Sequence, residues 1–275
     1  MKKSHFYILI NSILLLLGII FILLSGYEFN YIITNLLRAL GIGLVTASLV
    51  NSLMKQLEEK TIEEIVLTNT KRIKHEKIYT EMRDKSEIVE VMSIALTGAL
   101  DDYIQNKHLI EKIFTERHEV RLLFLNPSSP YVKQRAVEDG ETEQELINKL
   151  IDSIDKSRTI CKLLDDAYMK KNNFQKDKIG SFEIRLFDDC PYFTVFRADD
   201  TILWGLYTNY APGSETSVLE VKKSSSLFSQ LKTHFDTAWK ANSGNYIVRL
   251  HRGDKPSLNE ALLKTLPPRQ IINTP

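Results

Sequence analysis

Six histidines and two cysteines are the residues of this chain best suited to metal binding or nucleophilic attack, and their spacing argues against both. His5, His75, His108, His118, His234 and His251 are scattered, with no pair at the spacing of a metal-binding helix or zinc finger. The residues therefore imply no metal and no cofactor. Cys161 and Cys190 have no zinc spacing and are too few for a disulfide framework, which fits a reducing compartment. Asp101-Asp102, Asp165-Asp166 and Asp188-Asp189 have the composition of acid/base pairs. Each reads more simply as a helix end or turn, and Asp188-Asp189-Cys190-Pro191 as a tight connection between strands. There is no glycine-rich phosphate loop, and the Gly41-x-Gly43 pair lies in an apolar run.

The elements that must position these residues begin with two apolar runs. Phe6 to Ser25 has no charged side chain, and Tyr31 to Met54 has one, Arg38. Each is long enough to cross a ~30 Å hydrocarbon layer as a helix. Residues 1–54 are therefore predicted to form a two-helix transmembrane hairpin. A signal peptide is the alternative for the first run, and a buried core helix for the second. Lys2, Lys3 and Lys55 flank the pair while the connection Gly26–Asn30 has no Lys or Arg, so both termini are placed in the cytoplasm. Ala39, Gly43, Ala47 and Asn51 recur every four residues in the second run. Such a small-residue face suits either self-association between chains or packing on the first run of the same chain.

The remainder reads as a helical connector over 55–85, a domain over 86–242 and a C-terminal appendage over 243–275. The chain has 36 Lys+Arg and 35 Asp+Glu, and residues outside 1–54 keep 33 and 34 of these. That balance argues against a generic nucleic-acid binder. Strands are predicted at 87–94, 120–125, 182–187, 192–196 and 202–207, with helices at 101–117, 141–169 and 226–240. The order implies an α/β sandwich with a mixed sheet. Two basic stretches, 169–178 and 249–255, read as solvated loops or as contacts for a nucleic-acid backbone or protein. The appendage is predicted to hold a strand at 246–250 and a helix at 257–266.

Val120–Leu125 followed by Asn126-Pro127-Ser128-Ser129-Pro130, with Phe182–Phe187 and Pro191–Asp200, resembles phospholipase-D-like domains. Their signature is H-x-K-x-x-x-x-D with a downstream Gly and Asn. At the corresponding positions stand Tyr192, Thr194, Asp199, Gly205 and Asn209. The resemblance implies a domain that has lost the attacking imidazole and the phosphate-holding lysine, and so serves binding, sensing or assembly rather than catalysis. A cleft lined by Asn126, Tyr192, Arg197, Asp199 and Asn209 could still hold a ligand, Arg197 supplying a guanidinium suited to phosphate. The plainer alternative for Arg197 is a surface strand arginine.

The whole organisation resembles the two-transmembrane effectors of bacterial retron antiphage defence systems. That resemblance implies a multi-pass inner-membrane toxin, held until infection by a reverse transcriptase and its DNA–RNA hybrid, that assembles and breaches the membrane on release. A membrane-tethered phosphodiesterase using altered residues is a second expectation, and a non-toxic membrane sensor or scaffold a third.

Overall fold

Long aliphatic side chains dominate the first sixty-four residues, and alternating β-branched and polar segments the rest; the computed structural model divides the chain there. It describes residues 2–24, 31–71, 76–170, 178–207, 217–252 and 254–269, and its two compact units are Met1–Glu64 and Ile65–Pro275.

The first unit is a pair of helices, α1 (Lys2–Leu24) and α2 (Tyr31–Glu64). They meet at two glycines. A Cβ on Gly41 would fall 2.8 Å from the Gly18 carbonyl oxygen and 2.6 Å from Ile22 Cγ1, so only hydrogen fits there. Ser48, two turns beyond Gly41, is also buried. The predicted small-residue face is a different one. Ala39, Gly43 and Ala47 are exposed, a Cβ on Gly43 would meet nothing within 4 Å, and the Asn51 side chain lies outside the described residues. The outer faces also expose Leu16, Leu23, Leu36 and Leu49.

The transmembrane hairpin predicted for 1–54 is corrected. Among the described residues no helix is long and apolar enough to cross a membrane. In α2 the apolar run contains Arg38 and continues without a break into Lys55, Glu58, Glu59 and Lys60. The multi-pass inner-membrane placement with cytoplasmic termini loses its basis with the hairpin. The predicted connection Gly26–Asn30 lies outside the described residues.

The second unit opens with β1 (Ile65–Lys71) and α3 (Glu76–Lys85), where one continuous connector helix was expected over 55–85. Ile65, Val66, Thr68 and Thr70 explain the difference, since β-branched side chains favour a strand. There follow β2 (Ile88–Ser93), α4 (Thr97–Gln105), α5 (Lys107–Thr115), β3 (Glu119–Leu125), α6 (Val132–Asp139), α7 (Glu143–Lys170) and β4 (Ser181–Phe187). The chain ends with β5 (Phe193–Ala198), β6 (Thr201–Leu206), β7 (Ser217–Lys222), α8 (Ser226–Ala241), β8 (Tyr246–Leu250), β9 (Ser257–Leu258) and α9 (Glu260–Leu263). The helix expected over 101–117 breaks at Asn106, whose side chain accepts the His108 amide at 3.2 Å and caps α5.

The described strands form one mixed sheet in the order β1-β7-β6-β5-β2-β3-β4-β8-β9. Strands β2, β3 and β4 run parallel, and β5 and β8 flank them antiparallel. Helices cover both faces of this centre, so its strands are nearly continuous apolar runs. Tyr103 of α4 meets Phe182 edge-on at 5.3 Å, and Tyr79 of α3 meets Phe196 at 4.8 Å. These contacts place α3 and α4 on the face of the even-numbered β4 and β5 residues, with α7 packed on α4, α5 and α6. The odd-numbered face takes α8, through Arg121 against Phe235 and Arg185 against Trp239. The appendage expected after 242 is instead part of the sheet: β8 pairs with β4, and Ile247, Val248 and Leu250 are fully buried.

At the amino ends of the parallel strands, His118 is fully buried, its Nδ1 2.9 Å from the Ser86 carbonyl. Burial, and then the Lys112 ammonium, push its imidazole from 6.5 down to about 4. The ring is therefore neutral in the folded chain. As pH falls from about 6.5 to about 4 the unfolded chain takes up a proton here that the folded chain refuses. This group thus costs no stability above pH 6.5, and a growing amount as pH drops through the window. Urea midpoints are expected to fall between pH 7 and pH 4.5, and His118→Gln to remove part of that slope. An unchanged slope in the variant would refute the assignment.

Candidate functional site

Among the described residues the predicted cleft is not assembled. Asn126 and Tyr192 lie at the carboxyl ends of the parallel strands, and Asp199 lies at the opposite end of the sheet. Tyr192 and Asp199 bracket β5, seven positions apart, or about 23 Å of strand. Asn126 closes a turn, its Oδ1 accepting the Ser128 amide at 2.9 Å. Asp199, with φ of 48°, uses its carboxylate to accept the amides of Glu87 at 3.1 Å and Ile88 at 2.8 Å. Thr194 is buried, and its hydroxyl donates to the Met92 carbonyl at 3.1 Å. Gly205 pairs with Thr194 in the sheet, and Asn209 lies outside the described residues. Among the described residues no phosphodiesterase-like centre forms, because the Thr194 hydroxyl is bound to a backbone carbonyl and the final acid, at the far end of β5, is bound to backbone amides.

Arg197 is neither a surface residue nor a free phosphate ligand. It is buried, and its Nη1 lies 2.7 Å from Glu90 Oε2. Glu90, fully buried, also binds Arg121 of the next strand. Register extends this into a row. Arg197 stands opposite Glu90, Glu90 opposite Arg121, Arg121 opposite Glu183, and Glu183 opposite Arg249. Five adjacent strands therefore carry charges of alternating sign across the α8 face. Arg249 reaches Glu183 at 2.7 Å, Arg185 reaches it at 3.0 Å, and Arg121 reaches Asp236 of α8 at 3.2 Å. Burial pulls the guanidiniums of Arg121 and Arg197 below their ordinary range, opposed in both by Asp236. Aromatic rings close over the row: Phe228 over Arg197 at 5.7 Å, Phe235 over Arg121 at 5.4 Å and Trp239 over Arg185 at 4.0 Å. Every arginine in it has a carboxylate, so the row fixes strand register and seats α8 rather than binding an anion. Its signal was present in the sequence as charges inside apolar strands: Glu90, Arg121, Glu183 with Arg185, Arg197 and Arg249.

A cleft of about 280 Å³ opens at the carboxyl ends of β2 and β4. Met92 and Phe187 form its floor, the segment Asp189 to Phe193 one wall, and His234 and Ala238 of α8 the other, with Tyr131 at the mouth. The His234 ring lies 5.0 Å from Phe193, which in turn meets Trp204 at 6.2 Å. Tyr192 is 69% exposed. The neighbouring Cys190 side chain pushes its phenol up, and Tyr131 and Glu138 add to the shift. Asp189 is the one carboxylate among the lining residues, which include no lysine and no arginine. His234 packs against Phe193, and no hydrogen bond joins it to Cys190 among the described residues, so the two are not arranged as a nucleophile–base pair. Among the described residues of the second unit, apart from Met169, the exposed large apolar side chains are Tyr131, Val137, Tyr192 and Leu206. Tyr131 and Tyr192 rim this cleft, and Leu206 pairs with Phe193 in its wall. The sequence pointed to Tyr192, but Met92, Phe187, Cys190, Phe193 and His234 escaped it because they converge from separate elements.

No curated protein matches the chain. Among solved structures, it is similar to the archaeal chromatin protein TrmBL2, described as showing a novel mode of DNA binding. The similarity has a TM-score of 0.34 at 12% identity, over 76% of this chain and 70% of that one, and carries no argument about either fold or function. The matched family is a domain of unknown function, over residues 64–244. The expected phospholipase-D-like and retron-effector kinships, and the toxin role drawn from them, find no support in these matches. The match covers most of the chain, which therefore belongs to the DUF5919 family.

Proposed function

We propose that residues 65–275 form a binding module, and that the cleft at the carboxyl ends of β2 and β4 takes its ligand. The observation that carries this is the lining itself: a concave, ring-rich site with one carboxylate, in which Cys190 and His234 are not bonded to each other. The carboxyl ends of strands in an α/β sheet are also where loops diverge and leave room for ligands. The charged row beneath α8 holds the floor and one wall in place, so the cleft is preformed.

Ligand-observed NMR of the full chain against a diverse fragment set tests the reading. Fragments that bind are expected to lose about tenfold in affinity, ~1.4 kcal/mol, in Tyr192→Ala. They are expected to be lost in Ala238→Trp, which fills the cleft from α8. Tyr192 is exposed, so its truncation leaves the fold intact. Fragments that bind both variants as they bind the original chain would place the ligand elsewhere and end the proposal.

A further inference from the structure

We propose that the ligand of this cleft is an organic cation, a methylated or quaternary ammonium group held among the rings of Tyr131, Phe187, Tyr192 and Phe193 beside Asp189. The inference rests on the cleft being the ligand site. Aromatic faces carry negative charge density, and cations seat against them with a gain that rises as water is excluded. Asp189 adds a full negative charge at the same wall.

An anionic ligand meets the reverse. Among the described residues no lysine or arginine lines the cleft, and the nearby guanidiniums are committed elsewhere. Arg135 is buried, bonded to Glu138 at 2.8 Å and to Asp139, and lies 4.6 Å from the Tyr207 ring. Arg121 and Arg197 share Glu90. A phosphate or carboxylate here would lose its water to ring faces and an acidic neighbour, with no donor cation in return. The volume, about 280 Å³, lies just below the ~300–1,000 Å³ of drug-sized sites, and so suits a headgroup-sized ligand rather than a dinucleotide.

Isothermal titration of the full chain tests this with tetramethylammonium, choline, Nε-trimethyl-lysine amide and 3,3-dimethyl-1-butanol, the uncharged isostere of choline. The cations are expected to bind, with the isostere at least tenfold weaker. Tyr192→Ala is expected to weaken choline about tenfold, and Asp189→Asn several-fold. Tighter binding of the trimethyl-lysine amide than of choline would identify a modified protein as the source, and the reverse order a free small-molecule ammonium ion. Equal binding of choline and its isostere would overturn the cation class and leave the cleft as the ligand site. So would failure of every cation while fragments sensitive to Tyr192→Ala and Ala238→Trp still bind. Cation binding that neither cleft variant disturbs would overturn the inference and the cleft together.

Discussion

Replacing Glu90 by leucine is expected to destabilise the α/β unit by about 3–5 kcal/mol, the usual cost of stripping one partner from a buried ion pair. Glu90 is fully buried between two strands and holds Arg121 on one side and Arg197 on the other. Without it, Arg197 keeps only the bond from its Nε to the Asp199 carbonyl, at 2.8 Å. Arg121 keeps Asp236 at 3.2 Å. The unpaired charge that remains is chiefly that of Arg197, so removing it should restore much of the loss. The double variant Glu90→Leu with Arg197→Met is expected to be more stable than Glu90→Leu alone by at least ~1–2 kcal/mol. Trp204 and Trp239 are the chain's two tryptophans and both lie in this unit, so their fluorescence in a denaturant titration reports it alone. Equal stability of the single and double variants would show that the row is not the source of the effect.

Gly180→Ala is expected to cost about 3 kcal/mol or more in the same titration. A Cβ there would sit 2.0 Å from the His118 carbonyl oxygen and 2.7 Å from its carbon. Both are backbone atoms of the segment leading into β3, and neither can rotate aside. Relief requires the first residues of β3 and β4 to separate. That strains the bonds from Gly180 N–H to the Ile113 carbonyl at 2.6 Å and from Ser181 N–H to the His118 carbonyl at 3.3 Å. Overpacking in a filled core costs ~1–3 kcal/mol and more where backbone must move. Gly98→Ala is the matching control. It lies in α4 with nothing within 4 Å of the new Cβ, and should raise stability by up to ~1 kcal/mol because alanine favours a helix. A Gly180→Ala chain as stable as the original would mean that the backbones at the starts of β3 and β4 are not in contact.

Local periodicity made much of the architecture legible. The alternation in Ile88–Ser93, the apolar run stopped by Asn126-Pro127, and the helical stripe of Leu227, Leu231, Phe235 and Trp239 correspond to β2, β3 and α8. What escaped were elements whose identity depends on neighbours. β1 lies among charged helical residues and is a strand because it pairs with β7. β7 itself, Ser217–Lys222, has weak alternation and is held between β6 and β1. β8 looked like an appendage because nothing nearby in the chain shows that β4 has an open edge beside it.

The same distinction governs function. Composition and spacing alone established an α/β chain without metal or zinc spacing, a near-neutral charge, and two apolar segments set apart from the rest. They also marked Arg197 and Asp199 as noteworthy, but could not tell a ligand-binding cation from one neutralised by a neighbour. Strand pairing settled that, since register places Glu90 directly opposite Arg197 and sends Asp199 to the far end of the sheet. The cleft likewise came from tertiary structure alone. Met92, Tyr192 and His234 are separated by 100 and 42 positions in sequence, and only the meeting of β2, the β4–β5 connection and α8 brings them to one surface. Periodicity is a property of a few adjacent residues, whereas a binding site is made by chain segments whose proximity is fixed only when the core closes.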